Sequence, residues 1–284
     1  MAETHGYMST TAGFASGSVM PYGDPRPTPL GESVFDRFIG ELAERLDDPA
    51  VDRNDTCRDA IAQIYGHAPP PDFHNDQSLS VGQKALYASF DPRNITLEPE
   101  YYADVDRARY LRIKPLTWLW IMFDRSALGQ NAFLGHRLRR ELAKRVFRHC
   151  GRNLKVWHFV EYTYGYNLSV GDDVVLHRYA FLDDRAGIDI GNHVSISDYA
   201  NIYSHSHDIN DIRRVLLKKT VIEDHVRITY HATVLAGVTV GKDAMIGTMA
   251  LATRSLPGFQ VSVGIPARPV RPKDRPCPYC EDSR

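Results

Sequence analysis

The pattern of hydrophobic positions changes near residue 150. Before it, apolar residues recur every three or four positions, which is typical of amphipathic helices. The first stripe predicts a helix that Ser33 caps; it consists of Val34, Phe35, Phe38, Ile39, Leu42 and Leu46. Four more helices are predicted, one from Asn54-Asp55 to near Gly66, one over Val81 to Phe90, one over Glu100 to Leu111, and one along Leu134, Leu138, Leu142 and Val146.

After Gly151, aliphatic residues recur every six positions, a period that neither a helix nor a plain amphipathic strand produces. The repeat follows three registers: Val170, Leu176, Leu182 and Ile188; Ile190, Ile196 and Ile202; and Ile222, Ile228, Val234, Val240, Ile246 and Ala252. A strand and a turn every six residues predict triangular coils of about 18 residues, about five of them, stacked as a hexapeptide β-helix. The step of 20 positions from Ile202 to Ile222 is not a multiple of six, so this segment must leave the coil.

Composition is ordinary for a globular protein, with 43% apolar residues and a net charge of −1. The missing basic excess argues against nucleic-acid binding. No apolar run reaches the length of a membrane span and no secretory signal is recognisable, so we expect a cytoplasmic protein. We expect a flexible arm over 1–30, a mainly helical region over 31–150, the β-helix over 151–271 and a tail over 272–284.

Residues 146–271 resemble the maltose/galactoside O-acetyltransferase branch of the hexapeptide-repeat acyltransferases. The similar stretches are HCGRNLKV, YGYNLSVGD, AFLDD, IYSHSHD, HATVLAGVTVGKDAMIG and VGIPARPVRPK. The resemblance implies an α+β chain, in which an all-β left-handed parallel β-helix follows a mainly α-helical region. It also implies a homotrimer with active sites between adjacent prisms. The donor would be acetyl-CoA or another short acyl-CoA, with no metal, and the acceptor a hydroxyl of a sugar or other small molecule.

The resemblance places the general base of this reaction at His207, in the IYSHSHD run. An imidazole suits the role, because its ordinary pKa lies near neutrality and the acceptor hydroxyl must lose a proton as it attacks the thioester. His205 is the competing candidate. The same resemblance assigns His177, Asp183 and His205 to acceptor binding. Departures at His177 and at Ala88, where the family has asparagine and aspartate, suggest an acceptor other than maltose or β-galactosides.

The resemblance assigns the coenzyme to the C-terminal part of the β-helix. Its expected contacts are Tyr230, Thr248, Thr253, Arg254, Arg268 and Arg271. Arg268 and Arg271 would bind the 3′-phosphate and pyrophosphate through charge-assisted hydrogen bonds. Tyr230 replaces a small residue, which would narrow or reshape the pantetheine channel.

Two other functions remain open. The fold also hosts γ-class carbonic anhydrases, and His177, His205 and His207 are the obvious metal-ligand set for that reading. A non-catalytic β-helix scaffold is the second, because fold alone does not determine function. Cys57 and Cys150 are expected as buried residues of helical segments. Cys277 and Cys280 form a lone C-x-x-C, which is half of a zinc site at most.

Overall fold

The computed structural model describes residues 25–273. Most of the predicted arm over 1–30, and the C-x-x-C pair in the tail, lie outside the described residues. Among the described residues, five α-helices precede the strands: α1 (Pro29–Asp47), α2 (Arg53–Ile64), α3 (Val81–Phe90), α4 (Arg107–Arg125) and α5 (Ala132–Val146). Short 3₁₀ turns lie at Pro92–Asn94, Glu98–Tyr101 and Leu128–Gln130. None of the helices in this described range is both long and apolar enough to cross a membrane.

Two helix predictions need correction. The first helix begins at Pro29, not after Ser33, because the Thr28 hydroxyl caps it by accepting from the Gly31 amide at 3.2 Å. The predicted helix from Glu100 to Leu111 is a 3₁₀ turn followed by α4. The Asp106 carboxylate starts α4 by accepting from the Arg109 amide at 3.0 Å, which separates the two segments.

The rest of the described chain is a β-solenoid of about six turns, so the predicted fold class is confirmed. Its strands are β1 (His149–Cys150), β2 (Lys155–Val156), β3 (Glu161–Tyr162), β4 (Leu168–Val170), β5 (Val175–Leu176), β6 (Phe181–Asp183), β7 (Ile188–Ile190), β8 (Ser195–Ile196), β9 (Asn201–Tyr203), β10 (His205–His207), β11 (Val215–Leu217), β12 (Thr220–Ile222), β13 (Arg227–Ile228), β14 (Thr233–Val234), β15 (Thr239–Val240), β16 (Met245–Ile246), β17 (Leu251–Ala252), β18 (Gln260–Val263) and β19 (Arg268–Pro272). Cys150 therefore lies in a strand and not in a helix.

The strands form the three faces of a prism, and each face is a parallel sheet. The strand orders are β1-β4-β7-β12-β15, β2-β5-β8-β13-β16-β18 and β3-β6-β9-β14-β17. All the aliphatic residues of the three predicted registers are buried inside it. The first coils contain 20 residues rather than 18, since His149 pairs with Ser169, whereas Arg227 pairs with Met245. Longer strands on the first face, such as β4 and β7, supply the two extra residues. This explains the shift between registers in the sequence.

The break after Ile202 is a β-hairpin that leaves the coil, as the sequence predicts. Strands β10 and β11 pair with each other in antiparallel fashion, and His205 lies opposite Leu217. The base of the hairpin is closed by the Lys218 amide, which donates to the Ser204 carbonyl at 2.9 Å. The hairpin therefore projects from the prism without interrupting the pairing of β9 and β12 with the neighbouring coils.

Helix α5 covers the first end of the solenoid. In the coils, backbone amides donate to the following coil, so the Val156 carbonyl in the first coil has no preceding coil to satisfy it. Arg139 and His136 of α5 bind this oxygen instead, at 3.2 and 2.9 Å. Arg139 also forms a buried ion pair with Asp124 of α4 at 2.6 Å, and Asp124 accepts from the Phe159 amide at 2.7 Å. One buried network thus joins the helices to the solenoid.

We predict that Arg139→Met destabilises the protein by about 3–5 kcal/mol, because it leaves the Asp124 carboxylate buried without its cation. The measurement is urea unfolding followed by circular dichroism at one protein concentration. Arg152→Met is the matched control, because it removes an exposed pair with Asp172 at 2.7 Å, and we expect a much smaller effect from it. Equal losses in the two variants would contradict the role of the buried network.

Candidate active site

Three consecutive charged residues at the end of β6 point to three different partners. The Asp184 carboxylate is fully buried and accepts from the backbone amides of Tyr164 at 2.6 Å and Asn167 at 3.0 Å. Burial raises the pKa of Asp184 to about 6. Asp184 therefore holds the turn from within, while Asp183 and Arg185 contribute to the site outside.

Asp183 holds His205. Its carboxylate is 1% exposed and contacts Nδ1 of His205 at short range. It also accepts from the Thr163 hydroxyl at 3.2 Å and the His205 amide at 3.2 Å. Because a carboxylate only accepts, a neutral His205 carries its proton on Nδ1 and leaves Nε2 as an acceptor. This orients the His205 ring through a buried partner.

His207 is held differently, by the backbone of its own hairpin. Its Nδ1 lies 2.6 Å from the carbonyl oxygen of Ile212. A carbonyl oxygen also only accepts, so the neutral His207 ring likewise presents an unprotonated Nε2. The side chain is exposed, and its ring meets that of His205 edge to face, with centroids 5.3 Å apart.

Both histidines open into one pocket of about 540 Å³ between the hairpin and the helical region. The helical region contributes the segment just after the Glu98–Tyr101 turn, and the solenoid contributes Arg185. The lining residues are Tyr101, Tyr102, Ala103, Asp104, Arg185, His205, His207, Ile212, Arg213 and Val215. Asp183 lies directly beneath, so the structure brings together three of the four residues predicted at the acceptor and the base.

His177 is not among the residues that line this pocket. It follows β5 at a corner of the prism, where its ring stacks on Trp157 with centroids 6.2 Å apart and an angle of 13°. Burial lowers the pKa of His177, which favours the neutral ring.

Tyr230 and Thr248 occupy the same corner as His177, in later coils. This corner carries a stack of rings, with Phe159 on Tyr179 at 5.1 Å, Tyr179 on Tyr199 at 4.7 Å, and Tyr199 on His231 at 4.8 Å. Tyr230 lies beside the stack and is 44% exposed, and its ring is T-shaped to that of Tyr199, with centroids 6.0 Å apart. The Thr248 hydroxyl lies 3.4 Å from that of Thr229 in the preceding coil.

The other predicted donor residues lie at the C-terminal end and are exposed. Thr253 and Arg254 follow β17. Arg268 and Arg271 lie on β19, where they pair with Val263 and Val261 of β18. The six predicted donor residues therefore all lie in the later coils or the closing hairpin. Two lie at the corner, two follow β17 and two lie on the edge strand β19.

The contribution of the segment Tyr101–Asp104 to this pocket was not predicted, although Ala88 of the helical region was expected near the acceptor. Arg185 binds Asp104 through two hydrogen bonds, at 3.1 and 2.5 Å, across 81 residues of sequence. The one available signal was the run Asp183-Asp184-Arg185, since three charges are unusual at the buried corner of a coil.

The metal-ligand set of the alternative reading is not assembled in the described residues. The rings of His205 and His207 are in contact in the hairpin that follows β9, but His177 stacks on Trp157 at the corner that follows β5. Within residues 25–273, no group of three or more histidine, cysteine or acidic side chains is arranged to hold a metal ion.

Comparison with known proteins agrees with this architecture, although no family model matches the chain. It is 30% identical over 111 residues to a probable acetyltransferase of Mycobacterium tuberculosis, covering 37% of each chain. It is 30% identical over 131 residues to the galactoside O-acetyltransferase of Lactococcus lactis, covering 44% of this chain and 63% of the relative. The chain therefore spans less than two thirds of both relatives.

A solved structure extends the likeness to the fold. The hexapeptide-repeat-containing acetyltransferase of Vibrio cholerae superposes with a TM-score of 0.51 at 25% identity, covering 64% of this chain and 96% of that one. The resemblance seen in the sequence is thereby confirmed: the chain has the left-handed β-helix of the hexapeptide-repeat acetyltransferases and is similar in sequence to a galactoside O-acetyltransferase of that group.

Proposed function

We propose that the chain is an acyl-CoA-dependent O-acyltransferase that moves an acetyl or similar short acyl group to a hydroxyl of a sugar or other small molecule. The observation that carries the proposal is His207, whose Nδ1 is bound to the Ile212 carbonyl at 2.6 Å beside a pocket of about 540 Å³. Relatives whose names state acetyltransferase activity support the same reaction class.

In the proposed mechanism, Nε2 of His207 takes the acceptor proton as the hydroxyl oxygen attacks the thioester carbonyl. The C–S bond then breaks, and the proton passes to the departing thiolate of coenzyme A. The Ile212 carbonyl keeps the other ring nitrogen protonated and stabilises the imidazolium that forms. His205, held by Asp183, is the neighbouring ring that contacts the acceptor.

A mechanism of direct attack in a ternary complex, without a cysteine-bound acyl intermediate, agrees with the pKa values of the two cysteines in the described residues. Burial raises the pKa of the Cys57 thiol to about 12 and that of the Cys150 thiol to about 11. Neither thiol forms a useful fraction of thiolate at neutral pH, so neither is suited to carry the acyl group.

The donor is proposed to lie along the later coils, with Tyr230 and Thr248 near the pantetheine, Thr253 and Arg254 further along it, and the β19 arginines at the phosphates. We also propose a homotrimer. Its support is the apolar character of the exposed corner, a property typical of interaction surfaces. The exposed side chains there are Tyr179, Tyr199, Tyr230 and Met249.

The direct test is calorimetric titration of the purified protein with acetyl-CoA and with free coenzyme A. We expect micromolar binding of both ligands with about one site per chain, because the exposed arginines supply charge-assisted contacts to the phosphates. A protein that binds neither acetyl-CoA nor free coenzyme A would contradict the acyltransferase proposal.

We predict that His207→Ala lowers kcat by roughly 10²–10⁴, the usual contribution of a positioned general base, with acetyl-CoA affinity nearly unchanged. Thiol release from acetyl-CoA measures turnover, and calorimetry measures affinity. His205→Ala is the matched variant. Turnover that survives His207→Ala but not His205→Ala would assign the base to His205.

We predict that Arg268→Ala weakens coenzyme A binding more than dephospho-coenzyme A binding, since the guanidinium would pair with the 3′-phosphate. Calorimetry with both ligands on both proteins measures the difference. Equal weakening for the two ligands would remove the 3′-phosphate contact from the proposal.

A further inference from the structure

We propose that Arg185 is a positioning residue that fixes part of the helical region as one wall of the acceptor pocket. The wall is the segment Tyr101–Asp104, which begins at the last residue of the 3₁₀ turn Glu98–Tyr101 and lines the same pocket as His205 and His207. This inference rests on the proposed function for its catalytic meaning, but the contacts that carry it do not involve the donor.

An ion pair joins Arg185 to the wall. Arg185 binds both carboxylate oxygens of Asp104, with Nε at 3.1 Å and Nη2 at 2.5 Å. The Arg185 side chain is 5% exposed and that of Asp104 is 25% exposed. Burial alone would raise the pKa of Asp104, but the hydrogen bonds and the charge of Arg185 lower it. A bidentate, largely buried pair fixes both position and orientation, unlike a mobile surface pair.

An aromatic contact also joins Arg185 to the wall. The Arg185 guanidinium carbon lies 4.3 Å from the ring centre of Tyr102, so the cation covers one face of that ring. The Tyr102 hydroxyl contacts the Glu98 carboxylate, which ties the ring to the preceding turn. Arg185 thus binds the wall at two side chains, one charged and one aromatic.

Both ends of the wall are anchored by contacts that do not involve Arg185. Before it, Glu100 pairs with Lys114 of α4 at 2.9 Å. After it, the Asp106 amide donates to the Tyr166 hydroxyl at 3.0 Å, and Arg109 donates to the Tyr166 carbonyl at 2.9 Å. Loss of Arg185 would therefore free the middle of the segment and leave its ends and the helical region in place.

At its own end, Arg185 belongs to the turn that follows β6. Asp183, two residues earlier, holds His205, and Asp184 holds the turn by accepting from buried amides. His205 and the wall are therefore both held from one short turn, which fixes the distance between them. Misplacing a substrate-positioning group by about 1 Å can cost a hundredfold in rate.

The test compares hydrogen exchange in wild type, Arg185→Met, Arg185→Lys and the control Arg152→Met, which removes an exposed ion pair in the first coil. We expect faster exchange in peptides covering 98–106 for Arg185→Met, an intermediate effect for Arg185→Lys, and no change there for Arg152→Met. Unchanged exchange of this segment in Arg185→Met would overturn the proposal.

The kinetic arm separates positioning from general stability. Its probe acceptors are a panel of mono- and disaccharides, in which maltose and methyl β-galactoside stand for the acceptors that the departures at His177 and Ala88 disfavour. For whichever is acetylated, we expect Arg185→Met to raise the acceptor KM about tenfold or more, while acetyl-CoA affinity stays within about twofold. Parallel loss of donor affinity would also overturn the proposal. A wild-type protein that binds no acetyl-CoA would contradict the proposed function instead, and the exchange result would still decide whether Arg185 holds the wall.

Discussion

The unpaired first end of the solenoid is the constraint on which the rest of the structure depends. The backbone hydrogen bonds and the apolar side chains of each coil are completed by the neighbouring coils. The first coil therefore exposes backbone oxygens and apolar side chains, because no coil precedes it. Helix α5 meets both needs, with Arg139 and His136 on the Val156 carbonyl and an apolar face on the first strands. Because Asp124 links the same arginine to α4, covering the end also fixes the helical region against the prism.

Because the helical region has a fixed position on the solenoid, it can supply the second wall of the candidate site. The segment after the Glu98–Tyr101 turn can face the hairpin histidines only if α4, which follows it, has a set position on the solenoid. The turn after β6 then connects three layers, with Asp184 in the core, Asp183 under His205, and Arg185 on the helical segment. Core packing, the histidines and the pocket wall are therefore mechanically coupled through three adjacent residues.

The sequence revealed the features that repeat and missed those that join distant segments. A six-residue period requires inward positions such as Val234 and Val240, and both are fully buried. The hairpin was predictable because the spacing of 20 positions between Ile202 and Ile222 breaks that period. The ion pairs Arg139–Asp124 and Arg185–Asp104 were not predictable, since no local pattern encodes contacts across 15 and 81 residues. The cap at Thr28 was missed because Ser33 offered an equally good local signal.

The hairpin that carries both histidines also bears on how such a protein can diversify. Its base is closed by the Thr220 hydroxyl, which donates to the Tyr203 carbonyl at 2.6 Å. The packing of the coils on either side therefore does not depend on the length of the insert. Lengthening a surface loop costs little conformational entropy once its ends are fixed. Changes in this hairpin that keep the Ile212 carbonyl against His207 can therefore accumulate over evolution, altering which molecules reach the histidines while the stacked scaffold is inherited intact.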